Sequence, residues 1–136
     1  MALNTRFTTG IHALVLLAAE PDKLHRSADV ARRLKTNSVV IRRIFLQLGR
    51  AGLIRSQKGP SGGSKLRMPA KEITLRDIHR AVYPDGFLQE SELSGIPGLR
   101  SELKGIFGDA MRAYEKELNQ TTLSQLVKKA AKKAKS

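Results

Sequence analysis

Apolar residues recur at helical spacing from the start of the chain. Ile11, Leu14, Val15 and Ala18 share one side of a helix predicted from about Thr5 to Ala19. Glu20-Pro21-Asp22 stops it, because proline cannot continue the hydrogen-bond ladder. Ser27 stands where a cap belongs, ahead of a short second helix with Ala28, Ala31 and Leu34 inward. Lys35-Thr36-Asn37 predicts a tight turn. A third helix follows from about Ser38 to Arg50, with Ile41, Ile44, Phe45 and Leu48 on one face. Ala51-Gly52 closes it, glycine being the usual left-handed stop. The pattern then changes. Leu53–Gln57 and Lys65–Met68 flank a glycine-rich run from Lys58 to Ser64, which predicts a short β-hairpin.

The second half returns to helical spacing. Thr74-Leu75-Arg76-Asp77 is a capping box, with Ile73 and Ile78 as a hydrophobic staple. The helix it opens runs to about Val82, before Pro84. Residues 83–100 hold prolines and glycines and predict a loop. From about Ser101 to Asn119 an apolar stripe recurs. With the preceding Leu99 it comprises Leu103, Phe107, Ala110, Tyr114 and Leu118. Thr122-Leu123-Ser124-Gln125 is a second capping box, opening a last helix with Leu123, Leu126, Val127 and Ala130 inward. The lysine-rich end is expected to be solvated and frayed.

The expected fold class is mainly α with a small β-hairpin. Three helices followed by a basic hairpin make a winged helix-turn-helix over residues 1–82. Residues 83–100 are a connecting loop. Residues 101–136 carry a long helix, a final helix and a basic tail. The stripe on the long helix is too extended for so small a winged domain to cover, so it predicts a partner helix in a homodimer. Packing on the final helix is the alternative.

Charge narrows the function. The 136 residues carry 25 Lys and Arg against 12 Asp and Glu, a net of +13. Residues 1–68 hold +10, residues 69–127 hold −2, and the last nine hold +5. Such a field attracts polyanions through counterion release. The chain has no cysteine, hence no disulfide, thiolate nucleophile or cysteine-held metal. There is no long apolar run and no secretory layout at the start, which leads us to expect a cytoplasmic protein with no membrane partner. No Ser/His/Asp grouping or paired carboxylate stands out, so no enzyme is expected. His12, His25 and His79 are scattered without ligand spacing and are expected at the surface or on helix flanks.

The third helix is the candidate reader. Val39, Arg42, Arg43, Leu46 and Arg50 occupy the arc opposite its apolar stripe. A recognition helix offers its N-terminal residues to base edges, and arginine grips guanine O6 and N7. Guanine is therefore expected opposite Arg42 and Arg43. Asn37 and Ser38 stand at the helix start, where backbone N–H groups meet phosphate. In the hairpin, Arg55, Lys58, Lys65 and Arg67 are cations on a narrow tip, while Gly59, Ser61, Gly62 and Gly63 let the backbone approach the double helix. A nucleotide-binding loop is excluded: it needs Gly-Lys-Ser/Thr opening a helix, whereas here Ser64 precedes Lys65 and a strand follows.

The run Arg50-Ala51-Gly52-Leu53-Ile54-Arg55-Ser56-Gln57-Lys58-Gly59-Pro60-Ser61-Gly62-Gly63, followed by Ile73-Thr74-Leu75-Arg76-Asp77-Ile78, resembles the Rrf-two family of bacterial regulators, typified by IscR and NsrR. The resemblance extends from the first helix to about residue 119. It implies a winged helix-turn-helix, a long C-terminal helix crossing its partner's in a two-fold dimer, and binding to pseudo-palindromic promoter DNA, usually as a repressor. Two departures matter. Iron–sulfur members carry three cysteines in the segment matching residues 83–100, and this chain has none, so no thiolate-held cluster forms and no cofactor is expected. Members also often place an acid and an amide where Arg42 and Arg43 stand, so DNA preference should differ. Signal input is left to a small-molecule or protein effector, with apolar Phe87 and Leu88 in the loop motivating the former. Two further readings stay open at this point: a basic RNA-associated winged-helix protein and a protein-binding adaptor.

Overall fold

The computed structural model describes residues 5–86 and 95–134. Helices α1 (Thr5–Ala19), α2 (Ser27–Leu34) and α3 (Ser38–Arg50) come first. Strands β1 (Ile54–Gln57) and β2 (Gly63–Leu66) follow, then a 3-10 turn at Ala70–Glu72. Helices α4 (Leu75–Val82), α5 (Leu99–Leu118) and α6 (Leu123–Ala134) complete the order. This is the winged helix-turn-helix with a long helix behind it.

One core joins α1, α3, α4 and the start of α6. Leu14, Leu17, Ile41, Leu48, Ile73, Ile78, Val82 and Leu123 lie at its centre, all fully buried or nearly so. Leu123 reaches that core because the openings of α4 and α6 are tied together. Leu75 N donates to Thr121 O at 3.0 Å and Leu123 N to Ile73 O at 2.7 Å, around a bridge between Thr74 and Thr122. Both predicted capping boxes form at this junction. Thr74 N donates to Asp77 Oδ2 and Asp77 N to Thr74 Oγ1, while Thr122 N donates to Gln125 Oε1 and Gln125 N to Thr122 Oγ1. Each box satisfies N–H groups that a helix start otherwise leaves without partners.

The wing is an antiparallel pair with Ile54 opposite Leu66 and Gln57 opposite Gly63. A third segment braces it. His25 and Ser64 exchange both backbone hydrogen bonds at 2.8 Å, so the residue before the helix-turn-helix is sewn to β2. Arg26 Nη1 donates to Pro60 O at 2.7 Å and pins the tip. The two central glycines are sterically required. A Cβ on Gly62 would stand 2.0 Å from Gln57 O, and one on Gly63 would stand 2.9 Å from the His25 backbone.

Several expectations are corrected. The N-cap of α2 is Arg26, not Ser27, and it makes no side-chain cap. The inward residues of α2 are Val30 and Ala31, with Leu34 half-buried, while Ala28 is exposed. The extra apolar branch of Val30 wins the core position. His25 and His79 are buried rather than superficial. In α6, Leu123 is buried, Leu126 and Val127 are half-buried, and Ala130 is exposed. That helix continues regularly to Ala134 instead of fraying after Val127, consistent with the strong helix preference of alanine and lysine.

Candidate nucleic-acid interface

α3 is held from below and capped from the front. Asn37 Oδ1 accepts from Val40 N at 2.9 Å, and Lys35 takes a left-handed conformation at φ 57° to end α2. The turn between the two helices is thereby closed within three residues. Ile41, Ile44, Phe45 and Leu48 anchor the helix in the core. Val39, Arg42, Arg43, Leu46 and Arg50 are left on the outer face, all exposed.

Between α3 and the wing runs an open cleft of about 660 Å³. Arg42, Arg50 and Arg55 line it over an apolar floor of Phe45, Leu46 and Ile54. Ser56 and Ser64 face each other across the sheet, their hydroxyl oxygens 2.7 Å apart. Three arginines lining an apolar-floored groove match the chemistry of a nucleic-acid strand, which carries phosphates and sugar carbons.

The structure therefore brings together only part of the sequence-predicted set. Arg42, Arg50, Arg55 and Gly63 line the cleft. Asn37, Ser38, Val39 and Arg43 lie on the front and far flank of α3, and the Asn37 side chain is committed to capping. Lys58, Gly59 and Ser61 are exposed around the hairpin turn, Lys65 is half-buried on β2, and Gly62 is buried within the turn. Sequence reasoning missed Ser27, Phe45 and Gln57 as lining residues, and Arg26 as the brace of the tip. Periodicity placed Phe45 in the core without showing that it also borders the cleft, and Ser27, Gln57 and Arg26 reach the cleft or its tip only because the wing folds back on the start of α2.

The long helix is the second candidate surface. None of its twenty residues is buried within the chain. Leu99 is 43% exposed and Ile106 56% exposed, and Ala110 is also exposed; Leu103 and Phe107 are half-buried. Two predicted stripe residues also make contacts inside the chain. Tyr114 meets His79 at 5.1 Å between ring centroids, and Leu118 packs against the core. Ile96 and Ile106, which are more exposed, were missed. Phe87 and Leu88 lie outside the described residues.

α5 is fastened to α4 by charge. The Glu115 carboxylate accepts from Arg76 Nε at 3.3 Å and from Arg80 Nε. The hydrogen bond from Arg80 lowers the Glu115 pKa, assisted by Arg76 and opposed by burial. Beside this clasp His79 is enclosed by Phe7, Tyr83 and Tyr114, and burial lowers its pKa while Glu115 pulls the other way. At the end of α4, Val82 O accepts from Arg6 Nη1 at 3.0 Å and from Gln47 Nε2 of α3 at 3.4 Å.

The chain is 30% identical to "Protein aau3" of Rhizobium meliloti (strain 1021), over 94% of this chain and 86% of that protein. Its fold superposes on T. potens IscR with a TM-score of 0.71 at 23% identity, covering 96% of this chain and 88% of that one. Oxidised CymR of Staphylococcus aureus gives a TM-score of 0.66 at 27% identity, covering 93% and 96%. The family model described as "Rrf2: Iron-dependent Transcriptional regulator" matches residues 3–129. The iron chemistry in that description does not fit a thiolate-held centre here. The sequence contains no cysteine, and among the described residues no three His, Asp or Glu side chains gather as a metal-ligand group. Among the described residues no helix is long and apolar enough to cross a membrane. The chain belongs to the Rrf2 family, whose members are transcription regulators rather than enzymes, and within it is a cysteine-free member.

Proposed function

We propose that the protein is a sequence-specific, double-stranded-DNA-binding repressor that acts as a homodimer on a pseudo-palindromic promoter site, without an iron–sulfur cluster. The observation that carries this reading is the exposed outer face of α3, with Arg42 and Arg43, beside a cleft to the wing that Arg42, Arg50 and Arg55 line. The exposed face of α3 would lie in the major groove, and the braced wing tip with Lys58 would rest beside the adjacent minor groove. The unburied stripe of α5 supports two-fold pairing, which would present two α3 helices to two half-sites. Such a protein works in the cytoplasm, where the promoter is.

The test is titration against a fragmented genomic DNA pool at two salt concentrations, with sequencing of the bound fraction. A recovered pseudo-palindrome that survives the higher salt is the expected result. Binding that collapses with salt and enriches no sequence would leave only the phosphate attraction, and would overturn the reading in favour of an RNA partner or a protein adaptor.

A further inference from the structure

Five large apolar side chains are exposed among the described residues: Val39, Leu46, Ile96, Leu99 and Ile106. Three lie in or just before α5 and are accounted for by a partner helix. The other two are both on the outer face of α3, so residues 5–86 direct their only exposed large apolar groups at the candidate interface. Leu46, 55% exposed, forms part of the cleft floor beside Arg42 and Arg50, where a sugar would rest. Val39 is different. It is 46% exposed on the first turn of α3, away from the cleft, and Arg42 and Arg43 follow it by three and four residues. Those spacings put both arginine stems beside its methyl groups.

Val39 belongs neither to the core nor to the partly buried residues packed against it, and its apolar side chain attracts no phosphate. In the major groove the apolar group on a base edge is the 5-methyl of thymine. We propose that Val39 is a specificity-determining residue that reads a thymine methyl next to the base pair gripped by Arg42 or Arg43. One helical turn rises about 5.4 Å, and bases stack about 3.4 Å apart along a strand. The thymine therefore falls roughly one or two base pairs from the guanine contact. The inference rests on the operator-binding reading above and adds to it the identity of a neighbouring base.

The experiment takes the site recovered from the genomic pool and replaces each thymine in turn with deoxyuridine, which removes only the methyl. Affinities are measured for the intact protein and for Val39→Ala, whose exposed position and helix-favouring replacement keep the fold. The intact protein should lose about fourfold in affinity at one thymine per half-site, the equivalent of the ~0.8 kcal/mol for one buried CH₂. Val39→Ala should bind the thymine site about fourfold more weakly and be indifferent to deoxyuridine there. A scan that is flat at every thymine overturns the proposal while leaving operator binding intact. So does a deoxyuridine penalty that persists undiminished in Val39→Ala, which would assign the methyl to another side chain. A pool that yields no site overturns both readings together.

Discussion

α3 and α5 are both amphipathic, yet they are held in opposite ways. α3 buries four large apolar side chains and shows its charges outward. α5 is seven residues longer and buries none, meeting the rest of the chain mainly through α4. The first helix is fixed by dispersion and exclusion of water, the second by an ion-pair clasp and ring contacts. The difference teaches that amphipathicity alone does not locate a core. A helix stripe is core only where the chain supplies a complementary surface, and the described residues supply none that buries α5.

The strongest way to sharpen the contrast is to damage the core under α3. Leu48 is fully buried, so Leu48→Ala should lower unfolding stability by about 2–5 kcal/mol, from lost transfer energy plus the residual cavity. Urea denaturation at fixed protein concentration would show it as a lower midpoint with an unchanged slope. A loss below about 1 kcal/mol would mean that α3 is no better anchored than a surface helix.

Next in size is the same kind of change on α5. Ile106→Glu should leave the winged body folded but weaken association. If each isoleucine contributes the ~1.5–3 kcal/mol of a buried aliphatic side chain, the dimer Kd should rise at least roughly tenfold. Sedimentation across a concentration series reads this directly. A variant that stays as dimeric as the parent would show that another face of the molecule pairs.

How much of this contrast was legible beforehand follows from the range of the interactions. Helix boundaries at Thr5, Ala19, Ser38 and Arg50, and both capping boxes, depend on residues within four positions of each other, and the sequence displays them. The outer face of α3 was legible for the same reason. The brace between His25 and Ser64 and the clasp of Glu115 on Arg76 and Arg80 join positions 35 or more residues apart, and no local pattern encodes them. His79 looked like a flank residue because its burial involves Phe7, 72 residues before it, and Tyr114, 35 residues after it. The contact of Tyr114 with His79 was not legible either, because periodicity cannot say which surfaces an apolar residue meets.

A smaller effect separates the two attachments by pH. Burial lowers the His79 pKa from its ordinary value of 6.5, against the pull of Glu115. Below 6.5 the unfolded chain binds a proton that the folded chain resists. The contribution of His79 is therefore complete above 6.5 and is lost as pH falls through the lowered folded value. Denaturation midpoints measured from about pH 7.5 to about pH 5 should decline in the parent. His79→Phe, which keeps an aromatic ring beside Phe7 and Tyr83, should flatten that decline. An equal decline in both proteins would place the titrating group elsewhere.

The smallest effect comes from the clasp itself. The Glu115 carboxyl is held below its ordinary 4.5, so its stabilisation is present above that value and disappears as pH falls through the lowered one. Arg76 and Arg80 are 36% and 55% exposed in their side chains, so water and salt screen both pairs. Glu115→Gln should therefore cost no more than about 1 kcal/mol in unfolding stability. Its sharper signature is local. Amide exchange should accelerate over the last turns of α5 in Glu115→Gln, while amides of α1 and α3 beside Leu14 and Leu48 stay protected. Raising salt in the parent should reproduce part of that pattern, since screening weakens the ion pairs and leaves the core contacts alone. If exchange rose equally in α3 and α5, the clasp would belong to the same cooperative unit as the core, and the two helices would be held as one after all.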